Sequence, residues 1–218
     1  RQMCIRDSYT TAGPVGGFIF GLFYSPIVIT GLHQSFPPIE LQLFTQGGSF
    51  IFAIASMANV AQGGAALGVF LTTRDENLKA LAGATAPSAF LGITEPAIFG
   101  VNLRLRWPFY IAMGASAIAA TIIAITGVKA SAPGAAGFLG FVSIDPSVGG
   151  GWGAFFIAIF TSAILATVAS YLWGRRVAAR QEKIDAAIEE SKAEAVAAIP
   201  TLAGTPGYEL TAHMNGSV

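Results

Sequence analysis

Four windows of the chain, residues 14–32, 47–73, 108–128 and 152–173, are apolar and contain no Asp, Glu, Lys or Arg. A helix that crosses the hydrocarbon of a bilayer needs about 20 predominantly apolar residues, and each window meets or approaches that length. Composition agrees: 53% of the 218 residues are hydrophobic, 11% are charged, and the mean hydropathy is +0.62, too apolar for an ordinary soluble domain. The fold expected is an all-α membrane protein built from polytopic transmembrane helices. Twelve basic and twelve acidic side chains cancel, so no global field points to nucleic acid or to an acidic partner.

A fifth apolar window, 80–103, has basic residues at both ends: Arg74 and Lys79 before it, Arg104 and Arg106 after it. Short loops rich in Lys and Arg stay cytoplasmic, which puts both ends on one side. A segment that enters and leaves by the same face must turn inside the membrane, where irregular backbone survives only if protein or a watery cavity shields it. The spacing predicts a re-entrant hairpin that turns at Thr94-Glu95-Pro96, with Thr94 capping the second arm and Pro96 in its first turn. Arms of roughly a dozen residues, about 18 Å of helix, reach mid-membrane and put Glu95 at the tip.

The remaining windows then alternate in direction and leave Arg175, Arg176 and Arg180 inside, with Lys129 against the bias. Residues 130–151, broken by Pro133, Asp145, Pro146 and Gly149 to Gly151, read as an outer loop or a partly inserted hairpin. The membrane domain is expected over 13–180, a cytoplasmic helix and linker over 181–208, and a short alternating tail over 209–218. Residues 1–12 read as a poorly defined or non-native start.

A charge at the bilayer centre costs about 2.5–3.5 kcal/mol on insertion scales, which makes Glu95 a candidate functional residue. The alternative is a carboxylate that serves only its own helix N-terminus, whose dipole and free amides favour an anion. His33, in TGLHQSF, can donate and accept, which suits hydroxyls, a carboxylate partner or interfacial backbone, and Gln34 adds an amide. Asn59 and Gln62, three apart, share one helix face and suit a substrate or another helix equally. Gly17 with Gly21 and Gly64 with Gly68 form Gly-x-x-x-Gly pairs that allow close helix packing. Cys4 is the single cysteine, and Ile5, Arg6 and Asp7 do not give it the setting of a nucleophile. With His33 and His213 far apart, no metal site or cofactor is expected.

At GITEPAIFGVNLRLRWPF, together with YSPIVITGLHQSFPPIELQL upstream, the sequence resembles the membrane (C) domain of enzyme II of the bacterial sugar phosphotransferase system, in its glucose-glucoside-sucrose superfamily. The similarity runs from about residue 13 to residue 180, and GLHQ and IELQL are most similar to sucrose-specific permeases, with trehalose and β-glucoside relatives as near competitors. The resemblance implies the C-terminal half of a dimeric permease domain in the bacterial inner membrane, in which the re-entrant hairpin carries the glutamate. The sugar is held while a transport domain moves it across, and a cytoplasmic B domain passes phosphate from its cysteine to the bound sugar. Glu95 would accept hydrogen bonds from hydroxyls of the glucosyl ring and orient its 6-hydroxyl, His33 would make a second polar contact, and Thr94 and Gln34 would complete the substrate site.

The sequence departs from that pattern in places. Glucose and maltose branches carry an arginine eight positions before the histidine, where this chain has Ser25. Cys4 does not match the phosphorylation motif of a B domain, so the chain is expected to be part of a phosphotransferase complex rather than to hold its phosphorylated cysteine. The tail ELTAHMNGSV is similar to the opening of an A domain, and the chain is expected to be an internal fragment unable to transport alone. Two other functions compete on residues alone: a proton-coupled secondary transporter using the same membrane glutamate, and a non-transporting scaffold built on small-residue packing.

Overall fold

The computed structural model describes residues 2–134, 136–147 and 150–202, with side chains described from 13 to 196 within those ranges. The terminal tail 209–218 and the side chain of Cys4 lie outside the described residues. The chain divides into two compact units, Arg1–Arg175 and Arg176–Val218.

Helix α1, Gln2–Ile29, breaks from helical geometry at Gly13 (φ 50°, ψ −125°), and its apolar part runs from there to Ile29. Gly31, at φ 76° and therefore in a conformation that favours glycine, ends it and opens a tight turn over Leu32–Ser35. Helix α2, Phe36–Thr45, follows with prolines in its first turn, the one place in a helix where a missing N–H goes unnoticed. Gly13–Ile29 and Leu32–Thr45 meet at 107°. Helix α3, Phe50–Thr72, is capped by Ser49, and α4, Glu76–Phe90, by Asp75, whose carboxylate accepts from the amides of Asn77 and Leu78 at 2.9 and 3.1 Å. After a turn over Leu91–Thr94 a second arm runs through α5 (Glu95–Ala97), a wider π turn (Ile98–Asn102) and α6 (Leu103–Leu105). Arg106, a non-glycine at φ 66°, makes the corner into α7, Trp107–Thr126, and α8 occupies Gly151–Leu202.

Among the described residues three helices are long and apolar enough to cross a membrane, α3, α7 and Gly151–Val196 of α8, or four if the bent pair around Gly31 is one span. Among them α3 is the axis: its most apolar window is 94% buried, against 44% for α7. It packs on α1, α4 and α7, and Ser162 of α8 donates to the carbonyl of Met57 at 2.8 Å. Both Gly-x-x-x-Gly pairs serve this packing. A β-carbon at Gly17 would stand 2.5 Å from that of Ala124 on α7, and one at Gly21 would stand 2.9 Å from the carbonyl of Ser116. On α3, a β-carbon at Gly64 would lie 2.8 Å from the Ala163 carbonyl of α8, and one at Gly68 would lie 2.5 Å from Ser170 Cβ. In lipid, where burial of apolar surface drives little helix association, this proximity supplies the dispersion contacts that hold helices together. Ile157, Phe160, Ile164 and Val168 form an exposed stripe at helical spacing along α8, suited to hydrocarbon surroundings.

The hairpin's two arms run antiparallel. Leu78 near the start of α4 and Leu105 at the end of the second arm pack on one cluster with Val69, Ala82, Ala86, Ala97 and Val101, and Gly100 faces Leu81. The two ends therefore lie together, and the turn lies at the far end. Of residues 130–151, for which the sequence left two readings, 136–144 fold back onto that turn. Ala130 bridges both Ser49 and Ile144, and the short helical turn Phe138–Ser143 brings the ring of Phe138 to 5.4 Å from that of Phe90 at the end of α4. Beyond it, Ser147 donates its hydroxyl and its amide to Asp145 Oδ1 and holds that carboxyl below the usual carboxylate range.

In the second unit the helix is solvent-facing: Gln181 donates to Asp185 at 3.0 Å and Lys192 pairs with Glu189 at 3.2 Å, exposed contacts of the kind that contribute little to stability.

Candidate functional site

The turn that precedes Glu95 is irregular backbone whose polar groups are nevertheless met by protein. The amides of Leu91, Gly92 and Ile93 donate to the carbonyls of Pro87, Ala89 and Ser88 at 3.2, 3.0 and 3.0 Å, and Ser88 Oγ donates to the Ile93 carbonyl at 3.1 Å. Asn59 Nδ2 of α3 reaches across to the Gly92 carbonyl at 3.4 Å. Gly92 itself sits at φ 102°, and a β-carbon there would run into the Ala136 carbonyl of the returning loop. A non-helical turn placed in hydrocarbon would require this kind of satisfaction, since each unmet group there costs several kcal/mol.

Glu95 is the first residue of the second arm and is exposed, with Leu91, Ile93 and Phe99 exposed around it. Among the described residues no hydrogen bond or ion pair engages its carboxylate. The arm's free N-terminal amides and dipole lie beside it and favour an anion. Thr94 is 4% exposed and stands at the N-cap position, but its backbone is helical (φ −96°, ψ −18°) and its hydroxyl caps nothing. The expected cap fails because a capping side chain needs extended backbone to reach the second or third amide. Only the Thr94 carbonyl takes part, accepting from Ile98 at 2.8 Å.

His33 and Gln34 lie together in the turn after α1. Gln34 Nε2 and His33 Nε2 lie 3.1 Å apart, and His33 Nδ1 is buried without a partner among the described residues. Gln34 thus holds the imidazole by its neighbouring amide. The structure brings Glu95 to Thr94 and His33 to Gln34, and no hydrogen bond among the described residues joins the two pairs.

The α3 amides, open to either a substrate or a helix on sequence alone, bond to protein: Asn59 to the hairpin turn, and Gln62 to Ser25 and Asn102. Asn102 escaped notice in the sequence because one amide in an apolar arm carries no periodic signal, although its place inside the run GITEPAIFGVNLRLR set it among the quoted residues. Glu40 of α2 was likewise unread. It is half-buried and accepts from Ser49 Oγ at 3.2 Å, tying α2 to the start of α3. Among the described residues no group of three or more His, Cys, Asp or Glu side chains can hold a metal ion.

The family described as "Phosphotransferase system, EIIC" matches residues 3–117. The chain is 49% identical over 164 residues to the sucrose-specific EIIBC component of Vibrio alginolyticus, covering 73% of this chain and 34% of that protein. It is 46% identical over 173 residues to the sucrose-specific EIIBCA component of Pediococcus pentosaceus, covering 77% of this chain and 26% of that protein. To the trehalose-specific EIIBC component of Bacillus subtilis it is 44% identical over 163 residues, covering 74% of this chain and 34% of that protein. No solved structure matches.

Proposed function

Because the chain belongs to the EIIC family of the phosphotransferase system, a family of multi-pass inner-membrane permease domains, we propose that it forms the sugar-binding part of a sucrose permease whose transport is coupled to phosphorylation. Glu95 accepts hydrogen bonds from hydroxyls of the glucosyl ring and His33 makes a second contact, with Thr94 and Gln34 supporting them. A carboxylate is a strong acceptor, and in a water-poor site its bonds to hydroxyls carry orientation as well as affinity. Held that way, the 6-hydroxyl oxygen forms a bond to phosphorus as the sulfur–phosphorus bond of a B-domain phosphocysteine breaks, with the hydroxyl proton passing, in the net reaction, to the departing cysteine sulfur. The B and A domains are the partners that relatives named EIIBC and EIIBCA carry fused to them, and the permease works as a homodimer.

The single observation that carries this reading is an unengaged carboxylate, Glu95, in the open at the end of an otherwise self-satisfied hairpin turn. A group of that kind is wasted on structure alone. The apolar side chains exposed around it call for cover, and the relatives' remaining length is where such cover would come from: the matches span 26–34% of those proteins.

The test uses the full-length transporter in membrane vesicles with labelled sucrose and a phosphoryl donor. Sucrose phosphate formed only when the donor is present supports the proposal. Unmodified sucrose that accumulates and is lost when the proton gradient collapses overturns it.

A further inference from the structure

Three buried side chains on three separate elements form one hydrogen-bonded chain. Gln62 Nε2 of α3 donates to Ser25 Oγ of α1 at 2.9 Å, while Asn102 Nδ2 of the hairpin's second arm donates to Gln62 Oε1 at 2.8 Å and to the Gln62 backbone carbonyl at 2.9 Å. Ser25, Gln62 and Asn102 are 1%, 1% and 0% exposed, so none of them touches a sugar. Yet each flanking residue belongs to an element that carries a proposed contact: α1 leads into the His33 turn, and the second arm begins at Glu95.

The arm is shaped to make this bond. In an uninterrupted α-helix, residues seven apart share a face, so Asn102 would point with Glu95. The π turn Ile98–Asn102 adds a residue to the arm and breaks that register, turning Asn102 fully inward while Glu95 stays in the open. The amide is also kept under a handicap. Asn102 Oδ1 is buried without a partner among the described residues, an unmet acceptor that costs stability.

We propose that Gln62 is a positioning residue for the sugar site: through Ser25 and Asn102 it fixes the placement of the His33 turn and the Glu95 arm against α3. This rests on the reading of Glu95 as a sugar contact. Loosening a bound geometry by a fraction of its tolerance lowers affinity for the ligand far more than it lowers expression of the protein.

The experiment measures sucrose-dependent phosphorylation by the full-length transporter in vesicles, for Gln62→Leu, Asn102→Leu, Ser25→Ala, Glu95→Gln and the paired exchange Gln62→Asn with Asn102→Gln. The single changes at 62 and 102 are expected to raise KM about tenfold or more, with kcat within about threefold of the parent. The paired exchange, which keeps an amide pair of the same summed length, is expected to recover most of the loss. Ser25→Ala, mild enough to fold where a larger change fails, is expected to raise KM about threefold. Unchanged KM in these variants beside a defective Glu95→Gln overturns the inference alone, including the case in which only thermal stability falls. A Glu95→Gln variant with normal KM overturns the sugar-site reading and this inference with it.

Discussion

Gly92 at the hairpin turn lies against the backbone carbonyl of Ala136 so closely that no side chain fits between them. Gly137 returns the relationship, since a β-carbon there would meet the Phe90 carbonyl, and it too sits at positive φ (94°). Two glycines thus let the loop between α7 and α8 close over the turn, and the Phe90 and Phe138 rings seal the contact from the side. The position of Glu95, three residues on, depends on this closure.

Replacing Gly92 with alanine adds a side chain where φ is 102° and where the Ala136 carbonyl has no room. The expected cost is about 2 kcal/mol or more. Thermal unfolding of the full-length protein in detergent checks it, and an unchanged midpoint would show that the loop does not rest on the turn.

Glu95→Gln keeps the shape of the side chain and weakens it as an acceptor. Sucrose affinity is expected to fall about 10- to 100-fold, the worth of a charge-assisted hydrogen bond or two. Equilibrium binding of labelled sucrose measures this directly. His33→Ala is expected to lower affinity about tenfold in the same assay, and Gln34→Ala less, because Gln34 acts on the imidazole.

Gly68→Val tests the seam between α3 and α8, where the added β-carbon would stand 2.5 Å from Ser170 Cβ and 3.0 Å from the Thr167 carbonyl. Overpacking of this kind costs about 1–3 kcal/mol. Gly114, which has nothing within 4 Å of an added β-carbon, is the control expected to tolerate alanine with little change.

Cysteines introduced one at a time at Lys79 and Arg104 report the sidedness of the hairpin. Both are expected to react with a water-soluble reagent from the cytoplasmic face only, as the shared cluster of Leu78 and Leu105 requires. Reaction from opposite faces would mean that 80–103 crosses the bilayer.

A pair of antiparallel arms was legible in the sequence from the basic residues at both ends and a break near the middle, but the turn falls at Leu91–Thr94, and Glu95 and Pro96, expected in the turn, open the second arm because a first-turn proline suits a helix. The glycine pairs were legible as packing, though not their partners, since nothing in Gly17 or Gly64 names α7 or α8. Helix α2 escaped because its paired prolines, Pro37 and Pro38, suggest a break, whereas in the first turn they are harmless. The loop at 130–144 was beyond sequence reasoning. Its shape comes from Ser49 and from the hairpin turn, contacts that no local pattern encodes. At the site, Glu95 and His33 stood out as polar groups in apolar surroundings, but the Gln62–Asn102 bond spans 40 positions and left no mark in the local spacing.

The enclosure of α3 on all sides has a consequence for how the chain is made. A nascent α3 leaves the ribosome before the hairpin and α8 exist, so Asn59 and Gln62 enter lipid ahead of Gly92 and Asn102, which follow 33 and 40 residues later. Ser25, by contrast, precedes α3 in the chain and is already synthesised. Biogenesis therefore has a built-in sequence, in which α1 shelters the newcomer's amide first and the hairpin takes up its half of the bond only on arrival.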